Sequence, residues 1–512
     1  MILLIEPIST NIGMYVPAYP LPIIEIASFV KLNSPKTEIQ VISIPMDYGL
    51  PLTLQGRDRV YEELIRDLSR MKPRGVGISC TAISQAEETI HLCEMIKEID
   101  PNIFIFLGGY FPTIYYEEIL SRTSAVDIIV VGEGEIPALN IIEKLEKGEN
   151  PRDKKNPNLA WKEDGKTHVT ETGIRFDIRK KALLNLELLR HPKEYDIIPY
   201  SFSRGCPYRC NFCMEYYIRP IRKAVPTETV QNDLIKLSGI SKSNDLIVCD
   251  ALFKSFDLIP FLRSIGMKIH FETRCDIMNP SIISEIADVC GTLVLGFESA
   301  SYSTLRRMNK VRDRSHYKKY ISNAIAIFKE AVKNEIPIMV FMIGGYPGDT
   351  VDDLKESLNV TSDLSKYSGP GGHVFKIGEC HVYPRTKIYD LALSLPDVIF
   401  DDDGVFGQNI VRKPSKDLDF ETVLEYTSKI FNLSNNTPKL QSAFSKMMPF
   451  FRLPVDALKD DIIPDMCYNN SQRNIFNVRG ENLSVFRNIL PNLIKKHREE
   501  MSKERNIRIL KF

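Results

Sequence analysis

Three cysteines crowd into the stretch SRGCPYRCNFC: Cys206, Cys210 and Cys213, spaced C-x3-C-x2-C. A structural zinc ion takes four ligands, and the nearest histidine upstream, His191, lies across an expected strand. The remaining seven cysteines are scattered singly, which suits reduced thiols in a cytoplasmic chain rather than a disulfide framework. Three thiolates in one short loop suit a 4Fe–4S cluster with one iron left open to another ligand.

A second set of residues that could hold a ligand lies near the N-terminus. Ser79-Cys80-Thr81, Gly108-Gly109 and Gly132-Glu133-Gly134-Glu135 each follow a short apolar run. Glycine at such places lets a bulky ligand approach the backbone. A tight turn is the alternative for any one pair.

These residues need a scaffold. The chain has 512 residues, more than one core usually organises, so two or three domains are expected. Lys+Arg and Asp+Glu balance at 66 each, which gives no general polyanion-binding surface and no nucleic-acid partner. Arg179-Lys180-Lys181 reads as a solvated patch. MILLIEPIST lacks a basic leader region and reads as a first buried strand. No run of about 18 apolar residues occurs, so no membrane span is expected.

Apolar runs at Ile2–Glu6, Ile39–Ile44, Gly75–Cys80, Ile103–Gly108 and Asp127–Val131 alternate with helical spacing, as in 82–100 and 117–120. That pattern predicts βαβ units, a buried parallel sheet and a Rossmann-like (flavodoxin-like) domain over 1–150, with ligands beyond the strand ends. Residues 151–198 read as a linker holding a hairpin at Asp164-Gly165, with Trp161 as its packing anchor. Six further strand-like runs, from 196–205 to 373–384, predict a partial (β/α)6 barrel of the TIM type over 199–395. The cysteine loop follows its first strand. Residues 396–512 read as mainly helical, with no chemical signature. The expected class is α/β.

The cysteine triplet after a first barrel strand, with Phe212 before its third member, resembles the radical S-adenosylmethionine (SAM) superfamily. GFESASYSTLRRMNK (296–310) is similar to the family's G-x-E-S strand and following MNK. IGGYPGDTVDD (343–353) resembles its GlPgeT turn. VYPRTKIYD (382–390) resembles its PyPGTplye segment, with Arg385 where glycine is usual. The resemblance spans about 200–390. It implies that the open iron takes SAM and that a flavodoxin or ferredoxin-type donor supplies the electron that yields a 5′-deoxyadenosyl radical. It also implies SAM contacts by Glu298 (ribose or amino group), Arg274 (carboxylate), Asp250, Phe212 and Gly344. Cys380 would stand near the same rim as a hydrogen-atom donor, or else be a buried structural thiol.

RGVGISCTA, IFLGGYFPT and VDIIVVGEGE resemble the cobalamin-binding domain fused to many radical SAM enzymes. The residues so implied as corrin or nucleotide contacts are Ser79, Thr81, Gly108, Gly109, Gly132, Glu133 and Gly134. The D-x-H-x-x-G motif that ligates cobalt in other cobalamin domains is missing, and the first histidine, His91, falls in a helical run. Ser9, Thr10, Asn11, Met14 and Tyr15, after the first strand, are not strong cobalt ligands. The implied function is a cobalamin-dependent radical SAM enzyme, most often a methyltransferase acting on an unactivated carbon or phosphorus of a small molecule. The alternative is a cyclase or rearrangement enzyme in which no methyl moves. Methylthiotransfer to tRNA fits poorly, because a second cysteine set and a basic tail are missing.

Overall fold

The computed structural model describes residues 1–8, 18–49, 54–191, 197–239, 241–401 and 409–447. Ser9, Thr10, Asn11, Met14 and Tyr15 lie outside the described residues.

The first sheet has seven strands. β1 (Ile2–Glu6), β2 (Ile39–Ser43), β3 (Gly75–Ser79), β4 (Phe104–Gly108) and β5 (Ile128–Val130) are parallel, and β6 (Leu159–Glu163) and β7 (Lys166–Val169) complete it antiparallel in the order β2-β1-β3-β4-β5-β6-β7. The strands are apolar throughout because both faces are covered. Ile2 and Leu4 of β1 join one core with the helix Leu21–Asn33, while Leu3 and Ile5 join another with the helix Leu54–Met71. The 2-1-3-4-5 order puts a topological switch point between β1 and β3, where α/β sheets bind ligands.

The Asp164-Gly165 hairpin forms, with Asp164 at φ 51° and Gly165 at φ 74°. It is no separate linker element, because Ala160 pairs with Ile129 and carries the first sheet past 150 to Val169. Trp161 is 1% exposed and stacks on His168.

The second sheet is parallel throughout and runs in chain order: β8 (Ile198–Tyr200), then, after a clamp formed by β9 (Ser203–Arg204) and β10 (Lys223–Ala224), β11 (Asp245–Val248), β12 (Lys268–Arg274), β13 (Cys290–Glu298), β14 (Ile338–Gly344) and β15 (His373–Glu379). This is a six-stranded partial barrel. Its outer face is covered by helices such as Arg314–Lys333, whose Ile327 and Phe328 are fully buried. Near β14 and β15 the helix Phe420–Phe431 packs, and β16 (Ile399–Phe400) pairs with β17 (Val411–Lys413) beyond the barrel. No helix among the described residues is long and apolar enough to cross a membrane.

Candidate functional site

The loop that carries Cys206, Cys210 and Cys213 leaves β9 and returns at β10, so one short antiparallel ladder clamps both of its ends. Gly205 opens it at φ 86°, where a Cβ would stand 2.2 Å from the carbonyl oxygen of Ile221; only glycine fits. The Gly205 N–H donates to Glu215, and the Cys206 N–H to the carbonyl of Arg219. Cys213 begins the helix Met214–Ile218, and its N–H reaches the carbonyl of Cys210. The MNK segment holds the loop from the other side: Asn309 donates to the carbonyl of Arg209 at 2.7 Å, and Asn211 to that of Arg307 at 2.7 Å.

The three thiols are free and lie close enough to influence one another electrostatically. Burial pushes the Cys213 thiol up to about 12 when no metal draws its proton off. No three metal-ligating side chains among the described residues converge as they would on a single ion. An iron–sulfur cube spreads its thiolates over several irons, so this wider spacing is compatible with a cluster. The donor set fits.

Arg274, at the end of β12, departs from its expected role. Asp276 takes the guanidinium fork at 2.9 and 2.8 Å, and a further N–H donates to the sulfur of Cys210 at 2.9 Å. The ring of Tyr208 stacks 4.0 Å away. The cation therefore serves the cysteine loop, with no fork free for a SAM carboxylate. Asp250 departs likewise: it accepts from the N–H groups of Phe202 and Ser203 and from the Ser203 hydroxyl, and it is 4% exposed. Its acceptors are filled in rooting the loop. Gly344 faces outward, since a Cβ there would stand 2.6 Å from Thr427. Cys380 is 2% exposed in the apolar core and burial raises its thiol, the surroundings of a packing residue. Phe212 packs half-buried against the same core.

Glu298 differs from these residues in its surroundings. It sits at the strand end at φ 60°, beside a register shift in the β13–β14 pairing. A non-glycine residue in this region is strained, as ligand-holding residues often are. Lys310 binds one carboxylate oxygen at 2.6 Å, while the other is buried with no hydrogen-bond partner among the described residues. A buried, orphaned acceptor fits a ligand that brings hydroxyl or amino donors.

At the switch point of the first sheet lies a cavity of about 480 Å³. Ser79, Thr81, Gly108, Gly109, Gly132, Glu133 and Gly134 all line it. Gly109 takes φ 108°, and a Cβ there would stand 2.3 Å from the carbonyl oxygen of Cys80, whereas nothing lies within 4 Å of one at Gly132. Thr113 fastens two of these loops, its hydroxyl donating to the Gly109 carbonyl and accepting from the Gly132 N–H. The Glu133 carboxylate accepts from the N–H of Phe176 and stands 3.7 Å from Arg204. These glycine-edged loops fit a large planar ligand brought against the backbone. His91 does not line the cavity; its ring sits edge-on to Tyr61.

The far wall of the cavity belongs to the barrel: Pro199, Ser201, Ser203, Arg204, Glu215, Arg219 and Cys249. Arg204, just before the cysteine loop, reaches Glu25 at 2.6 Å and Glu135 at 2.5 Å in the first domain. Glu215, which holds Gly205, also accepts from Tyr110. Arg385 takes φ 66°, the conformation for which glycine is usual, and lays its guanidinium 4.2 Å from the Tyr116 ring centre. Sequence reasoning missed this interdomain set, because its partners lie about 70 to 270 residues apart and obey no local period.

Two family models match the chain: the B12 binding domain over residues 41–142 and the radical SAM superfamily over residues 200–360. An anaerobic magnesium-protoporphyrin IX monomethyl ester cyclase from Rubrivivax gelatinosus is 27% identical over 59% of this chain and 56% of its own length, little over half of that protein. An uncharacterized methyltransferase of Pyrococcus horikoshii is 23% identical over 66% of this chain and 73% of its own. Among solved structures, the radical SAM methyltransferase TsrM from Kitasatospora setae, with tryptophan substrate and a SAM analog bound, superposes with a TM-score of 0.66 at 14% identity over 84% of this chain and 89% of its own. The cobalamin-dependent radical SAM enzyme OxsB, with aqua-cobalamin and SAM bound, gives a TM-score of 0.63 at 14% identity over 98% and 81%. One chain thus carries a B12-binding domain followed by a radical SAM domain, the two modules that cobalamin-dependent radical SAM enzymes combine.

Proposed function

We propose that the protein is a cobalamin-dependent radical SAM methyltransferase that acts on an unactivated carbon or phosphorus centre of a small molecule. The observation that carries this reading is the shared cavity: one wall is the set of glycine loops at the first sheet's switch point, and the other is the barrel rim that roots the cysteine loop. A methyl carrier and a radical source must reach one substrate, and a common cavity meets that need.

When bound, the cluster with SAM supplies radical chemistry and cobalamin supplies methyl carriage. The residues do the rest. Cys206, Cys210 and Cys213 would hold the cluster, and the Arg274 N–H on Cys210 lowers the electron density on that sulfur. Glu298 would accept from the ribose or amino group of SAM with the oxygen that Lys310 leaves free. Ser79, Thr81 and the glycines at 108, 109, 132 and 134 would seat the corrin. A flavodoxin or ferredoxin-type protein is the proposed electron donor.

A cyclase is the second reading, favoured by the 27% identical cyclase relative. Methyl-labelled SAM, a strong reductant and a size-fractionated extract of small metabolites separate the two. Methyl transfer predicts label in a small product, with 5′-deoxyadenosine and S-adenosylhomocysteine in similar amounts. Deoxyadenosine without S-adenosylhomocysteine would establish the cyclase instead.

A further inference from the structure

The barrel lumen holds two charges that neither the cysteine loop nor the corrin cavity uses. Strand register fixes which side chains point inward. Glu272 pairs with Val294, Val294 with Met339 and Met339 with Val374; one step nearer the rim, Arg274, Gly296, Phe341 and Lys376 are matched in the same way. The alternate residues Phe271 and Phe375 are buried in the helix-covered outer core, so the first set faces inward; Val294, Met339 and Val374 are packed there under Phe431 and Leu440, which leaves Glu272, Phe341 and Lys376 toward the open part of the lumen.

Glu272 is open to solvent within this concavity, and Lys376 is half-buried with its ammonium 5.2 Å from the centre of the Phe341 ring. Neither forms a salt bridge with a described residue, although their charges act on one another across the lumen. Glu272 keeps contact with water, but the lumen walls crowded around it raise its carboxyl to about 7, with Glu298 adding and Lys310 and Lys376 opposing. Burial holds the Lys376 amine below its ordinary range. Among the described residues the lumen is open beside Lys376: nothing lies within 4 Å of a Cβ built on Gly378, one step beyond it on β15. Two opposite charges standing apart on the walls of one concavity present a matched pair of partners to a ligand that carries both signs.

The other lumen cations are committed, Arg274 to Asp276 and Cys210, and Lys310 to Glu298. One open ammonium suits a carboxylate better than a phosphate, which recruits several cations or a guanidinium fork.

We propose that the lumen takes a small zwitterionic substrate of the amino-acid type, its carboxylate on Lys376, its ammonium on Glu272 and its apolar part against Phe341. This rests on the radical SAM reading above and names the substrate class of that same site.

The test uses anaerobically reconstituted full-length protein and three probes that share one apolar part: L-phenylalanine, 3-phenylpropionate and phenethylamine. Binding is followed by ligand-observed NMR at up to about 10 mM. L-Phenylalanine is expected to bind most tightly. Lys376→Met should weaken L-phenylalanine and 3-phenylpropionate by about tenfold or more and spare phenethylamine, and Lys376→Arg should recover most of the loss. Glu272→Gln should do the converse, weakening the two amines and sparing 3-phenylpropionate; this arm stands even if Lys376→Met fails to fold. Equal affinity for the three probes, no binding of any, or a uniform loss across them in either variant overturns the assignment. SAM cleavage by the wild-type protein is measured in parallel. Cleavage without this binding pattern sinks the lumen assignment alone, and absence of cleavage sinks the proposed function with it.

Discussion

Replacing Arg204 by Met removes the one cation that three first-domain carboxylates share. Arg204 lies 2.6 Å from Glu25, 2.5 Å from Glu135 and 3.7 Å from Glu133, with its side chain 12% exposed. At an effective dielectric of about 20, each of the two short contacts contributes about 6 kcal/mol of Coulomb attraction. Most of that is offset by desolvation of the charges. Glu25 keeps Lys181 at 3.7 Å, but deleting Arg204 leaves the desolvation of Glu135 uncompensated, and the expected loss is about 3–5 kcal/mol. The sign of the pH dependence follows. Burial and Glu135 already raise the Glu133 carboxyl, and Arg204 opposes them. Without Arg204, the Glu133 carboxyl is held still further above its unfolded value. The native state then binds more protons, so stability falls as pH rises through that window. The penalty should be full near pH 8 and shrink toward pH 5. Trp161, the only tryptophan and buried in β6, reports urea unfolding of this sheet by fluorescence. Adding Glu135→Gln to Arg204→Met should recover part of the loss. A loss under about 1 kcal/mol, or one that does not change with pH, would refute the reasoning.

Gly109→Ala combines a left-handed φ with a backbone clash, so it should abolish retention of hydroxocobalamin on desalting. Gly132→Ala, with the same kind of φ and open space, should weaken retention without abolishing it. Replacing Cys206, Cys210 and Cys213 together by Ala should remove the cluster's iron and visible absorbance, and 5′-deoxyadenosine formation with it; continued formation would exclude the triplet as the cluster site. Cys380→Ala should cost about 1–2 kcal/mol of stability from lost packing while deoxyadenosine still forms, and a dead enzyme that remains folded would restore Cys380 to the chemistry.

Local chemistry made much of this molecule legible. The first five strands fall within one or two residues of the apolar runs, because Ile- and Val-rich segments bounded by Gly, Ser or Asp have little choice when both sheet faces are covered. The cysteine loop was legible because three thiols at fixed spacing have few uses. Charged residues misled where their partners were distant or were backbone groups. Asp250 spends its oxygens on Phe202 and Ser203, and Arg274 spends its fork on Asp276. Neither pairing follows a period. Gly344 sits in a ligand-like motif yet makes room for Thr427, a packing need set some 80 residues later. The hairpin was read correctly as a hairpin but not as part of the first sheet, since edge pairing with β5 leaves no mark on its own residues.

The proposed function requires two cofactors to meet at one cavity, whose walls are the glycine loops on one side and the root of the cysteine loop on the other. Paramagnetic resonance on anaerobic protein loaded with both groups tests this most directly. With cobalt(II) cobalamin and the reduced cluster present together, the two signals should broaden and split each other through their magnetic coupling. That coupling should disappear when the three cluster cysteines are replaced by Ala, leaving a cobalt signal without nitrogen hyperfine splitting. Two independent, unbroadened signals from fully loaded protein would contradict the shared site.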